Sequence, residues 1–189
     1  MEDRGSLEES LQRVVRCLRN LDLKFHLTGG IVSWAYGEPR FTQDLDLVIQ
    51  LNRAETDRVA AALEQDFHVD KEAIEEAVRL NSVFQALDKE TLIKIDFHVG
   101  EAVPGELGRT VWLKFSGEEE YPVVSKEDAL LSKLLWIEKG SHKSRADVIG
   151  MLLASEPFDK AFVRSMAAEL GVEKLFDRLN READLDSGP

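Results

Sequence analysis

Cysteine is almost absent from this chain: Cys17 is the only one in 189 residues. That excludes an intrachain disulfide framework and a thiolate zinc site, and it fits a reducing cytoplasm. A surplus of positive charge is also lacking. With 24 Lys and Arg against 36 Asp and Glu the formal charge is −12, the reverse of what neutralising a long run of phosphates demands. No extended DNA binding is therefore expected, although a local basic pocket stays open. No stretch reaches the ~20 apolar residues that span a bilayer, and the opening Met-Glu-Asp-Arg-Gly-Ser has no apolar run of the kind a secretory signal needs. A cytoplasmic protein with no membrane partner is the expectation. There is no internal repeat and no low-complexity tract. What is present is a globular composition, 43% hydrophobic with a mean hydropathy of −0.25, long enough for one domain and a small appendage.

Periodicity divides the chain in two. Ser6 and Glu9 form a capping-box pattern, followed by Leu7, Leu11, Val14, Val15 and Leu18 at helical spacing, which predicts a first helix ending near Asn20. A strand is expected from Lys24 to Thr28, a glycine turn at Gly29-Gly30, and a short helix from Ile31 to Tyr36 closed by Gly37 and Pro39. Asp44 to Gln50 reads as a strand, and Asn52 with Glu55 caps a helix. Helix from Glu72 to Arg79, then a hairpin of Ser82–Leu87 and Leu92–Val99, then short strands at Val111–Phe115 and Tyr121–Val124 joined through Gly117, complete the first half. After Ser125 every signal is helical: Lys126–Lys139, about Ser144–Ala154, Phe158–Leu170 and a last turn or two to Leu179, with a frayed polar tail from Arg181. The expected fold is an α/β (α+β) core with a mixed or antiparallel sheet over residues 1–120, followed by a helical subdomain over 121–189.

Three features of the first half combine. Side chains alternate along a strand, so Asp44 and Asp46 point the same way, about 6.7 Å apart along it, while Leu45, Leu47 and Ile49 turn to the core. In Leu92–Val99 the same alternation sets Lys94, Asp96 and His98 against Ile93, Ile95, Phe97 and Val99. Laid side by side, the two strands bring three carboxylates to one surface, where they repel one another unless a cation sits among them. Oxygen ligands without thiolates suit Mg²⁺ or Mn²⁺, and pairs of such ions serve in-line displacement at phosphorus. Gly29-Gly30 lets a polyphosphate approach the backbone at a helix start, with Ser33 one turn on. Arg40, after the stiff Gly37-Glu38-Pro39 turn, is placed to neutralise a phosphate. Each feature has a plainer reading: a wet strand face for the aspartates, a turn for the glycines, a structural partner of Asp96 for Lys94. His26 and His98 read as strand-face residues with structural hydrogen bonds, and Trp34, Trp112 and Trp136 as packing.

Gly29-Gly30, thirteen intervening residues, Asp44-Leu45-Asp46 and Lys94-Ile95-Asp96-Phe97 resemble the signature of the DNA polymerase β-like nucleotidyltransferases. The run from Thr28 through Tyr36-Gly37-Glu38-Pro39-Arg40-Phe41-Thr42 into Asp44-Leu45-Asp46 is similar to the small bacterial AbiEii-type (abortive-infection) branch. The likeness spans about residues 22–100 and continues loosely over 127–153. It implies transfer of a nucleoside monophosphate from an NTP to a hydroxyl or phosphate acceptor, an RNA end or a small molecule, with release of pyrophosphate. It also implies Asp44, Asp46 and Asp96 as metal ligands and catalytic groups, and Gly29, Gly30 and Ser33 as the triphosphate cradle. Arg40 and Lys133 are further nucleotide contacts, with Lys94 and Asp147 as additional candidates and a cognate antitoxin as a protein partner. Ser144 departs from the branch, which more often has an acid there. The alternative is a catalytically silent module of the same fold that binds or regulates.

Overall fold

Alternation along the strands decides which face of the sheet meets helices. The computed structural model describes residues 2–37, 44–115 and 118–186. It divides into two units, one of Met1–Ile31 with Phe41–Val123 and the other of Val32–Arg40 with Val124–Pro189.

The first unit holds one seven-stranded mixed sheet. Its elements in chain order are α1 (Glu2–Asn20), β1 (Phe25–Thr28), β2 (Asp44–Ile49), α3 (Thr56–Asp66), β3 (Phe67–Val69), α4 (Lys71–Leu80), β4 (Val83–Asp88), β5 (Lys94–Val99), β6 (Val111–Leu113) and β7 (Tyr121–Val123); α2 (Ile31–Tyr36) follows β1 but from Val32 on belongs to the second unit. The strand order is β3-β4-β5-β2-β1-β7-β6. β2 runs parallel to β5, and β1 parallel to β7, while the remaining neighbours are antiparallel. Leu27, Leu47, Phe97 and Phe84 follow one another across the register and are essentially inaccessible to solvent. Phe84 and Phe97 stack with ring centroids 4.6 Å apart. On this face α1, α3 and α4 pack; each fully buried Leu, Ile or Phe there contributes about 1.5–3 kcal/mol. Asp88, at the end of β4, is buried on the same side. It accepts hydrogen bonds from Arg13 Nε and Nη2 of α1 at 2.9 and 3.1 Å and from the backbone N–H groups of Glu90 and Thr91 at 2.9 and 3.1 Å.

In the second unit α5 (Lys126–Glu138), α6 (His142–Leu153), α7 (Lys160–Glu169) and α8 (Glu173–Asp186) form a closed ring of contacts, α5 on α6 and α7, and α8 on the same two. Leu130, Leu134, Val148, Met151, Val163 and Phe176 fill it. Ser125 caps α5, its hydroxyl accepting from Asp128 N at 3.1 Å and donating to Asp128 Oδ2 at 2.7 Å. The Tyr36-Gly37 step is structural here: the Tyr36 hydroxyl donates to the Val124 carbonyl at 2.9 Å, and a Cβ on Gly37 would stand 3.5 Å from Met151 Cγ.

Several expectations change. α1 begins at Glu2, so Ser6 lies inside the helix and does not cap it. β3 goes unanticipated because three residues are too few to show a period. Asn52 and Glu55 do form a capping box, but on a 3₁₀ turn at Arg53–Glu55 ahead of α3. The tail stays helical to Asp186 because Ala183 continues the buried stripe of Phe176 and Leu179. Trp112 and Trp136 are about half exposed, not core; Arg19 lies over the first ring and Lys139 over the second. The linking glycine Gly117 lies outside the described residues.

Candidate active site

The face of the sheet opposite α1, α3 and α4 carries the polar side chains, and the register decides which of them meet. Asp46 on β2 stands opposite Asp96 on β5, and Asp44 opposite Lys94. Across the other edge of β2, Asp46 is opposite Thr28, the last residue of β1 before the glycine pair. The glycine motif and the aspartate pair therefore abut. Gly29 has φ +68°, and a Cβ there would lie 1.9 Å from Asp46 Oδ2, so both its backbone and its lack of a side chain are required. That reason for glycine is separate from any approach of a phosphate. Gly29→Ala is expected to lower folding stability by at least about 1–2 kcal/mol from the left-handed conformation alone, and to displace the Asp46 carboxylate. Urea denaturation checks the first effect, and an unchanged midpoint would contradict the contact.

Counter-charges for the carboxylates come from β5 itself. Lys94 Nζ donates to Asp96 Oδ2 at 2.7 Å and lies 3.8 Å from Asp44 Oδ2. Its pKa is raised, first by the hydrogen bond to Asp96 and then, against the opposing effect of burial, by the charges of Asp96, Asp44 and Asp46. His98 Nε2 is 3.4 Å from Asp46 Oδ1. The side chain of Asp96 is 15% exposed, that of Asp46 21% and that of Asp44 43%, so the row runs from half-open to nearly enclosed. Asp96 Oδ1 is buried with no hydrogen-bond partner among the described residues. His26, on the same face of β1, is fully buried; its Nδ1 is 3.1 Å from Thr110 Oγ1 and its Nε2 is 3.6 Å from Glu106 Oε2. Its Nε2 has no hydrogen-bond partner among the described residues.

Among the described residues no group of three or more His, Cys, Asp and Glu side chains is gathered as a cage for a metal ion. The donor chemistry nevertheless fits a hard divalent cation: three carboxylates on one face, a buried Asp96 oxygen lacking a hydrogen bond, and an ammonium already drawn between two of them. Of the remaining sequence candidates, Gly30 is buried at the β1–α2 junction. Ser33 belongs to α2 by its backbone alone, and Arg40 lies outside the described residues. Lys133 and Asp147 pair with each other in the helical unit, Nζ to Oδ2 at 2.6 Å, with side chains 12% and 6% exposed. Ser144 is buried, its hydroxyl donating to Ser141 Oγ at 2.9 Å. The contacts absent from the sequence reading are Gly29 on Asp46, Lys94 on Asp44 and His98 on Asp46. The period-2 placement of Lys94, Asp96 and His98 signalled their shared face, but not their partners.

Among solved structures the chain is similar to an antigenic nucleotidyltransferase-like protein from Paracoccidioides brasiliensis, with 18% identity, a TM-score of 0.57, and coverage of 97% of this chain and 91% of that one. It is also similar to JHP933 from Helicobacter pylori, with 17% identity, a TM-score of 0.51, and coverage of 96% and 80%. At these identities the likeness shows the fold, a nucleotidyltransferase-like one. No curated protein matches the chain. The profile of the family described as "Nucleotidyl transferase AbiEii toxin, Type IV TA system" matches residues 13–146, well over half of the chain and the whole of the strand set that carries the three aspartates. With that match and the Gly29, Asp46 and Asp96 arrangement together, the chain belongs to the AbiEii family of nucleotidyltransferases.

Proposed function

We propose that the protein transfers a nucleoside monophosphate from an NTP to a hydroxyl or phosphate acceptor, an RNA end or a small molecule, releasing pyrophosphate. The observation that carries the reading is the parallel register of β2 and β5, which sets Asp46 beside Asp96 with Gly29 closed against Asp46. Asp44, Asp46 and Asp96 would hold Mg²⁺ or Mn²⁺, which when bound supplies positive charge to the phosphoryl oxygens. Asp96, the most enclosed of the three, takes the proton of the acceptor hydroxyl. Gly29, Gly30 and Ser33 bind the triphosphate and Arg40 and Lys133 neutralise it, with Lys94 and Asp147 as further candidates. Catalysis comes mainly from positioning and charge neutralisation. The −12 charge favours a small or locally recognised acceptor over a long nucleic acid. Family membership supports a cognate antitoxin as partner and a cytoplasmic site of action; among the described residues no helix is long and apolar enough to cross a membrane.

The test is transfer of label from NTPs carrying it at the α-phosphate or, in parallel, at the γ-phosphate, offered with total RNA and with small-molecule extracts, with and without Mg²⁺. Label is expected to pass from the α but not the γ position, and only with the metal present. Binding of NTP without any transfer would point to a silent module.

A further inference from the structure

Lys94 sits where a cation among the carboxylates is needed, and its placement has consequences that pairing with Asp96 alone does not cover. It lies on the outward face of β5, two residues before Asp96 and opposite Asp44 in register. One ammonium reaches both carboxylates, at 2.7 and 3.8 Å. The one positive charge of Lys94, set between Asp44 and Asp96, is less than the two negative charges it touches, so it quiets their repulsion without cancelling their attraction for a divalent ion. Among the described residues one buried Asp96 oxygen has no hydrogen bond, a ligand position that Lys94 does not fill. The Lys94 side chain is 42% exposed, and its four-carbon stem can turn the ammonium toward solvent without moving the strand.

We propose that Lys94 is an exchangeable counter-ion: its ammonium bridges Asp44 and Asp96 while the site holds no divalent ion, is expelled from them when one binds, and then pairs with the triphosphate. The inference rests on the metal-dependent reading above. It makes Lys94 a nucleotide-binding residue that also tunes how tightly the row takes a metal and couples that uptake to the nucleotide.

Mn²⁺ binding to the full chain without nucleotide, followed by electron paramagnetic resonance, separates the possibilities. Lys94→Met keeps the length of the side chain and removes the charge that competes with the ion; it is expected to bind Mn²⁺ about tenfold more tightly than the wild type. Lys94→Arg is expected to bind close to the wild type. With Mn²⁺ saturating, Lys94→Met should hold ATP about tenfold more weakly, for want of a charged partner to the phosphates. Mn²⁺ affinity that is unchanged or weakened in Lys94→Met overturns the role of Lys94 and leaves the metal reading intact. No Mn²⁺ binding in either form overturns both. A measurement without substitution stands beside these: acetylation of Lys94, read by mass spectrometry, should quicken when Mn²⁺ is added and slow again on adding ATP. An indifferent rate also overturns the exchange.

Discussion

Asp46→Asn is expected to reduce nucleotidyl transfer by about a thousandfold or more, the scale on which loss of a charge-stabilising group at a phosphoryl centre is felt, while the protein stays folded. Asparagine is the informative replacement because it keeps the shape of the side chain over Gly29, where a Cβ would come within 1.9 Å of Asp46 Oδ2. It removes only the charge. Folding should not suffer: Asp46 lies in a row of like charges with Asp44 and Asp96, on the face of the sheet that α1, α3 and α4 leave uncovered. Removing one of three mutually repelling carboxylates relieves that repulsion, while the neighbouring His98 gives up a contact of 3.4 Å. The urea midpoint is therefore expected to stay near the wild-type value or rise. Transfer of α-phosphate label and the unfolding curve, measured on the same preparation, decide the matter. Full activity in Asp46→Asn would remove the aspartate row from catalysis, and activity lost together with the fold would leave its chemistry unproven.

The reading from residues reached the faces of the strands but not their neighbours. Alternation of Asp44, Leu45, Asp46 and Leu47 is a local property, so the wet and buried sides of β2 were legible, as were α2 and the β4–β5 hairpin. Which strand lies beside β2 is settled by packing at a distance: β5 is its parallel partner although some forty residues separate them. Adjacency could only be supposed, and the opposition of Lys94 to Asp44 depends on it. Gly29 shows the same limit. A glycine after a strand suggests a turn, but the carboxylate that fills the space beside it comes from another strand. The errors have equally local causes. By residue type Trp112 and Trp136 read as packing, whereas each leaves about half its surface in water under a cation. In α8 the polar residues between Leu179 and Ala183 hid a stripe that one small side chain continues.

Arg13→Ala is expected to produce the largest loss of stability, about 3–5 kcal/mol at neutral pH, because it leaves a buried carboxylate without its cation. Asp88 has no exposed side-chain surface, and Arg13 meets it through two nitrogens. Burial pushes the Asp88 carboxyl up, but the Arg13 hydrogen bonds and the backbone N–H groups of Thr91 and Glu90 outweigh it and hold the group below the usual carboxylate range. A carboxylate depressed by folding contributes stability that is complete above its unfolded pKa, about 3.9. That contribution fades as pH falls through the lower folded value. The wild type should therefore resist acid to below that pH. Without Arg13 the upward push of burial is opposed by the turn's N–H groups and the Ser10 side chain, so the acid limb of the stability curve should move to higher pH. Asp88→Asn in the Arg13→Ala background removes the stranded charge and should recover part of the loss, the sign of direct coupling in a double-mutant cycle. The consequence reaches the site face through one hairpin: β4 and β5 are joined at the turn that Asp88 closes, and β5 carries Lys94, Asp96 and His98. Urea unfolding of the four proteins across acid to neutral pH tests the chain of argument. Equal stability of Arg13→Ala and wild type at neutral pH would show that the turn's backbone and Ser10 satisfy Asp88 without Arg13.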